Sequence, residues 1–357
     1  MKSKSTQTLS VDNVRTDINQ LLSDYLSNSI ARSQQMDENY TYLWQAIESL
    51  VNAGGKRLRP YLLMLAYSGY GGQDNKKIMP IAAAQELLHV SLLIHDDIID
   101  NDYVRHGQDN VMAMMQKKYQ RQDDLNAIHF AEAAAILAGD LLISGAHNLI
   151  VESEIADNQK LTALKLLSNG IFAVGGGELL DMESVMLPFK TTDTLKIAEL
   201  KTAGYSFTTP LLTGAKLAGA NDQELDILEQ LAISLGIGFQ LADDILGVFG
   251  EETVMGKSNL SDIREGKRTY LMSQAFSLAN QEQIKTLEKL VGNPNVTQSQ
   301  ADDVRFIIED CGAKTAVHQK INDYVTHSNN LLDKLSMSDK SKSALRSFIK
   351  QATDRSI

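Results

Sequence analysis

One cysteine, five prolines and one tryptophan in 357 residues say first what this chain is not. With Cys311 alone, no intrachain disulfide can form, and a disulfide-stapled secreted domain is excluded; the cytoplasm is the expected location. So few prolines, together with few alternating β-branched stretches, argue against a sheet protein, whose turns use proline and whose strands show a period of two. Positive charge is also short. The formal net charge of −11 excludes a general nucleic-acid binder, which needs Lys and Arg to neutralise phosphates. The opening stretch "MKSKSTQTLS" lacks the apolar segment expected of a secretory signal, and the most apolar long run, "AAAILAGDLLISGAHNLIV", is interrupted by Asp140 and His147, so no membrane span is expected.

What is present is helical periodicity. Val14, Ile18, Leu21, Leu22, Tyr25 and Leu26 recur at helical spacing, as do Leu43, Ile47 and Leu50. "NAGGKRLRP" interrupts the pattern, and a further helix is expected to begin near Ile78. Later helices are expected at 131–155, 159–180, 193–219, 222–250, 268–290, 299–334 and 341–351. The polar segment "QKKYQRQDDLNAIHF" reads as loop or insertion. Residues 1–10 read as a flexible terminus and 11–357 as a single all-α domain, since apolar residues make up 43% of the sequence and connections are short.

The chemistry gathers behind apolar runs. In "LLHVSLLIHDDIID", His89, Asp96 and Asp100 share roughly one stripe of a helix with about 3.6 residues per turn, and Asp97 lies beside it. Carboxylates so close resist joint ionisation unless a cation compensates them, and Mg²⁺ prefers such oxygen ligands. An acidic cluster is more often a solvated helix end. A second one, Asp243 and Asp244 in "FQLADDILG" with Gln240 one turn earlier, makes decoration the poorer explanation. Basic residues are local: Lys56, Arg57 and Arg59 follow a Gly-Gly turn at which an anion could sit, and Lys201, Lys257, Lys267 and Arg268 lie further on. Each alone reads equally well as a solvated cation.

Taken in order, "GGKRLRP", "LLHVSLLIHDDIID", "AILAGDLL", "KTAGYSFTTP", "FQLADDILG" and "GKSNLSDIREGKRT" resemble the trans-isoprenyl diphosphate synthases, the polyprenyl synthetase family of farnesyl and geranylgeranyl diphosphate synthases, over about residues 40–275. The resemblance implies the isoprenoid synthase fold, a helical bundle around a deep central cavity with the two Asp motifs facing across its mouth, in a homodimer. It implies condensation of isopentenyl diphosphate with an allylic diphosphate. Asp96, Asp97, Asp100, Asp243 and Asp244 would bind Mg²⁺, three ions per site in the family; Arg105, Lys201 and Lys257 would contact the allylic diphosphate, and Lys267 is placed with these substrate-binding cations. Lys56, Arg59 and His89 would hold isopentenyl diphosphate, while Thr202 and Gln240 would stabilise the allylic cation. Five carboxylates and a diphosphate carry roughly −8 against +6 from three magnesium ions, and Lys201, Lys257 and Arg105 answer the remaining charge of about −2.

The chain departs from the pattern in places. Arg105-His106-Gly107 stands where the family has Arg-Arg-Gly, so His106, mostly neutral near pH 7, is expected to grip isopentenyl diphosphate less firmly than arginine would. Asp109-Asn110 replaces a common Pro-Thr, and Gly247 stands where many relatives carry aspartate. Chain growth is stopped in the family by bulky side chains just before the first Asp motif. Ser91 and Leu92 are not aromatic, which moves the expected floor toward Leu88 and the product toward geranylgeranyl diphosphate or longer. A non-catalytic subunit of a heteromeric synthase and a class I terpene cyclase are the alternatives; the second Asp pair and "GGKRLR" weigh against the cyclase.

Overall fold

The computed structural model describes residues 10–119, 125–188, 192–250 and 259–354. Residues 1–9, within the expected flexible terminus, lie outside them, as does Lys257. The chain divides into two compact units, one running to Leu164 and the other from Lys165.

The first unit holds α1 (Val11–Gln34), α2 (Glu38–Asn52), α3 (Leu58–Gly69), α4 (Asn75–Ile99), α5 (Val111–Lys117) and α6 (Leu125–Val151), and α7 (Asp157–Ser184) contains the division. The predicted opening helices form as read. Ser10 caps α1 through Asn13 N–H at 3.2 Å, and Val14, Ile18, Leu22 and Leu26 are its buried stripe. Helix α4 packs on α6, where Gly139 leaves room for the His95 ring. Of the expected loop over 116–130, residues 116–117 belong to α5 and 125–130 to α6, while 120–124 lie outside the described residues.

A two-stranded hairpin, β1 (Val104–Arg105) and β2 (Gln108–Asp109), holds the only strands among the described residues. His106 and Gly107, at φ 53° and 75°, form its two-residue turn. Both central residues are left-handed, the arrangement whose twist matches paired strands. Histidine tolerates this region better than most side chains, so His106-Gly107 was a readable turn signal.

The second unit adds α8 (Thr194–Ile197), a π-helix (Ala198–Thr208), α9 (Thr209–Leu217), α10 (Asp222–Phe249), α11 (Ser261–Glu265), α12 (Tyr270–Leu278), α13 (Gln281–Leu290), α14 (Gln298–Asp310), α15 (Ala313–Lys334) and α16 (Asp339–Thr353). Helix α10 packs against the π-helix and α15. Two predicted long helices are broken. Asn280 starts α13 with a reciprocal capping box to Gln283, and Gly312, at φ 83°, stops α14.

Helices α4, α6 and α10 are long and apolar enough to cross a membrane by length and composition; in α4 and α10, 67% of the apolar window is buried within the protein. An all-round apolar helix of this kind is what a large core uses.

Candidate active site

In the first unit the apolar run of α4 ends in three aspartates at the wrong pole for them. The C-terminus of a helix carries partial negative charge, and α4 has no basic residue in its last turn. The compensating cation comes from β1. Arg105 Nε donates to Asp97 Oδ1 at 2.8 Å, its Nη2 bonds the same oxygen, and Nη2 reaches Asp96 Oδ2 at 3.3 Å. Asp97 is only 2% exposed. Burial pushes its carboxyl up, and Arg105 pulls the other way, helped by the nearby Asn110 amide, whose own hydrogen bond goes to the Asp102 carbonyl at 2.6 Å. The second Asp97 oxygen, Oδ2, is buried with no hydrogen-bond partner.

That orphaned oxygen, beside Asp96 and Asp100, suits a further cation. Magnesium fits the donor set, which is all carboxylate oxygen. Among the described residues no three His, Cys, Asp or Glu side chains already converge as a cage.

Two turns earlier, His89 lies in a cationic setting. Burial lowers its pKa well below the usual value, and the charges of Arg59, Arg105, Arg57 and His106 lower it further. Residues from α3, from the loop before it and from the hairpin thus act on one imidazole, which stays neutral near pH 7. Lys56 is exposed in the loop before α3. Arg57, one of the basic trio, is turned into the core: a left-handed backbone, φ 49°, accompanies a buried side chain bonded to Glu86, Asn19 and the Val51 carbonyl. The Asp109-Asn110 departure has a local use, because Asn110 caps α5 through Ala113 N–H at 2.9 Å and Asp109 pairs with Lys117. Leu88 and Ser91 are fully buried, and the Ser91 hydroxyl donates to the Leu88 carbonyl at 2.7 Å; Leu92 is half-buried.

In the second unit the π-helix carries Lys201 and Thr202, and such wide turns are frequent at functional sites. Gly177 makes room for it, since a Cβ there would strike the Lys201 backbone. Lys201 Nζ is held by Asp181 at 2.7 Å and Glu178 at 3.0 Å, one turn apart on α7. Thr202 Oγ1 donates to Gln240 Oε1 at 2.5 Å, and Gln240 Nε2 donates to Asp244 Oδ1 at 2.8 Å. Asp243 is exposed, whereas the Asp244 carboxyl is pushed up to about 8, chiefly by burial, with Gln240 opposing and the charges of Asp262, Asp243 and Asp181 adding to the rise. Lys267 pairs with Glu265 at 3.1 Å.

The structure therefore brings Asp96, Asp97 and Arg105 together, leaves His89 subject to the charges of Arg59, Arg105, Arg57 and His106, and joins Thr202, Gln240 and Asp244 in one chain of bonds. Sequence reasoning missed Glu178, Asp181 and Asp262. The segment "GGGELLDME" held a signal for the first two, because two acids at i and i+3 share a helix face.

Each unit sets aspartates beside a cation held by hydrogen bonds, Arg105 in the first and Lys201 in the second, within an all-α frame. A polyprenyl synthetase family model matches residues 40–310, about three quarters of the chain. Among curated relatives, a short chain isoprenyl diphosphate synthase of Methanocaldococcus jannaschii is 35% identical over 75% of this chain and 76% of its own. A geranylgeranyl diphosphate synthase of Sulfolobus acidocaldarius is 31% identical over 79% and 78% respectively. Among solved structures, a geranylgeranyl pyrophosphate synthase from Corynebacterium glutamicum, complexed with isoprenyl diphosphate and magnesium, matches with a TM-score of 0.91 and 28% identity, over 98% of this chain and 100% of that one. The chain belongs to the polyprenyl synthetase family. It is a trans-prenyl diphosphate synthase, a prenyltransferase with the isoprenoid synthase fold.

Proposed function

We propose that the protein condenses isopentenyl diphosphate head-to-tail with an allylic diphosphate to make geranylgeranyl diphosphate or a longer homologue. The observation that carries the site assignment is the Asp97 carboxylate, buried with one oxygen on Arg105 and the other without a partner. Such a group calls for a second cation.

In this reading Asp96, Asp97, Asp100, Asp243 and Asp244 hold Mg²⁺, three ions as in the family, for the allylic diphosphate. When bound, magnesium supplies positive charge against the leaving diphosphate. Lys201, fixed by Asp181 and Glu178, and Arg105 add fixed positive charge for the same diphosphate, with Lys257 and Lys267 assigned beside them by sequence. Lys56, Arg59, neutral His89 and His106 bind isopentenyl diphosphate. Gln240, oriented by its bond to Asp244, presents with Thr202 oxygen dipoles to the developing allylic cation. The isopentenyl double bond attacks that cation, and the proton then lost goes to the released diphosphate. Leu88, Ser91 and Leu92 set the depth available to the growing chain.

The single-domain reading belongs with this proposal, since the family match runs across the division at Leu164. So does a homodimer, supported by Leu137, Leu161, Phe172 and Leu179, which stand 57%, 68%, 87% and 71% exposed on α6 and α7. A cytoplasmic enzyme without a membrane span or a nucleic-acid partner completes it. The test is incubation of the purified protein alone with isopentenyl diphosphate, Mg²⁺ and allylic primers of several lengths, followed by chromatography. Elongation to a product of twenty or more carbons is expected; no elongation of any primer overturns the reading.

A further inference from the structure

Gly247 is where the second acidic motif departs from the family pattern, and the structure puts a carboxylate there from elsewhere. On α10, residues 243 and 247 are one turn apart on the same face, with Cβ positions about 5–6 Å from each other. A Cβ built on Gly247 would clash with Asp262 Oδ2 and lie 3.1 Å from Asp262 Cγ. The Asp262 carboxylate thus rests on α10 at the very root of the absent side chain, on the face that carries Asp243. It reaches that place only because residue 247 is glycine.

Asp262 is not on a drifting segment. Its neighbour Ile263 is fully buried, and the Ile263 carbonyl accepts from Gly292 N–H at 2.8 Å. Arg264 donates twice to the Val296 carbonyl, at 2.8 and 3.1 Å. Gly266, left-handed at φ 68°, lets α11 end against the Gly292 backbone, where a side chain would not fit.

We propose that Asp262 is the third carboxylate of the second acidic motif, supplying from α11 what position 247 lacks and joining Asp243 in holding the divalent cation. This rests on the reading that Asp243 and Asp244 bind Mg²⁺. Mn²⁺ is the probe, with free ion followed by electron paramagnetic resonance on the full-length protein, with and without inorganic pyrophosphate. Asp262→Asn, equal in shape, should weaken Mn²⁺ binding about 10-fold, within the range for a lost supporting carboxylate, without lowering the melting temperature of the metal-free protein. Gly247→Ala should do likewise by pushing the carboxylate aside. Gly247→Asp combined with Asp262→Gly returns a carboxylate to the same place on α10 and should restore binding to within about 3-fold of the unsubstituted protein, a threshold well inside the expected loss.

Asp243→Asn separates the two claims. If it weakens Mn²⁺ binding while Asp262→Asn binds like the parent, Asp262 has no such part and the inference is overturned, with the metal site intact. If Asp243→Asn itself changes nothing, the underlying reading fails. Should Asp262→Asn not fold, the double variant decides: recovery supports the shared place, and a folded double variant that still binds about 10-fold more weakly overturns it.

Discussion

Replacing Arg57 by methionine separates a structural arginine from the anion-binding cations on either side of it. Arg57 is 6% exposed and donates to Glu86 Oε1 at 2.8 Å, Asn19 Oδ1 at 2.9 Å and the Val51 carbonyl at 2.8 Å. Methionine keeps much of the stem and removes the charge, leaving a Glu86 side chain only 3% exposed without its counter-ion. Removing one partner from such a buried pair costs about 3–5 kcal/mol. For a unit of this size each kcal/mol moves the melting temperature by about 2–4 °C, so a fall of roughly 6–20 °C is expected. Glu86→Leu should cost a similar amount. The double variant removes both charges and should cost less than the two singles together, with an interaction energy of about 2–3 kcal/mol. Urea unfolding at pH 7, followed by circular dichroism, measures the cycle. Additive losses, or single losses under about 1 kcal/mol, would refute the structural assignment. Exposed Lys56→Ala provides the contrast: a stability change within about 0.5 kcal/mol, and an effect confined to the apparent KM for isopentenyl diphosphate.

Three further outcomes are expected. His106→Arg replaces a mostly neutral ring by a permanent cation and should lower the apparent KM for isopentenyl diphosphate; steady-state kinetics showing an unchanged or higher value would count against His106 as a diphosphate contact. Ser91→Phe, at a fully buried position, should shorten the product and cost about 1–3 kcal/mol through overpacking, and chromatography showing the parent product distribution would remove Ser91 from the cavity floor. His89 has its pKa depressed in the folded protein, so its contribution to stability is present above the unfolded value of about 6.5 and is lost as pH falls through the folded one. The melting temperature of the ligand-free protein should therefore drop on the acid side of about pH 6.5, with a shallower slope in His89→Gln; equal slopes would sink that explanation.

Much of the molecule was legible in the order of residues because helical periodicity is local. The i, i+4 spacing of Asp96 and Asp100, the apolar run before them, and the Gln240 to Asp244 interval each need only one helix to be read, and each appears on α4 or α10 as expected. Local signals also existed where the reading went astray. The Asn280 capping box and Gly312 mark helix ends that apolar periodicity alone ran through, and His106-Gly107 marks a hairpin. Whether Arg57 faces a ligand or the core was a different matter. Nothing near it in sequence distinguishes it from Lys56, since its counter-ion, Glu86, lies on another helix.

The sequence by itself determined the all-α class, the family and the aspartates, because residue type and spacing along one helix carry that information. Only tertiary structure decided what each charge meets: Arg105 against Asp97, Lys201 between Glu178 and Asp181, and Asp262 on the bare backbone of Gly247. Those pairings join separate segments, and the strength of a charge's interaction depends on burial and distance, which the packing of helices establishes and no single stretch of chain contains.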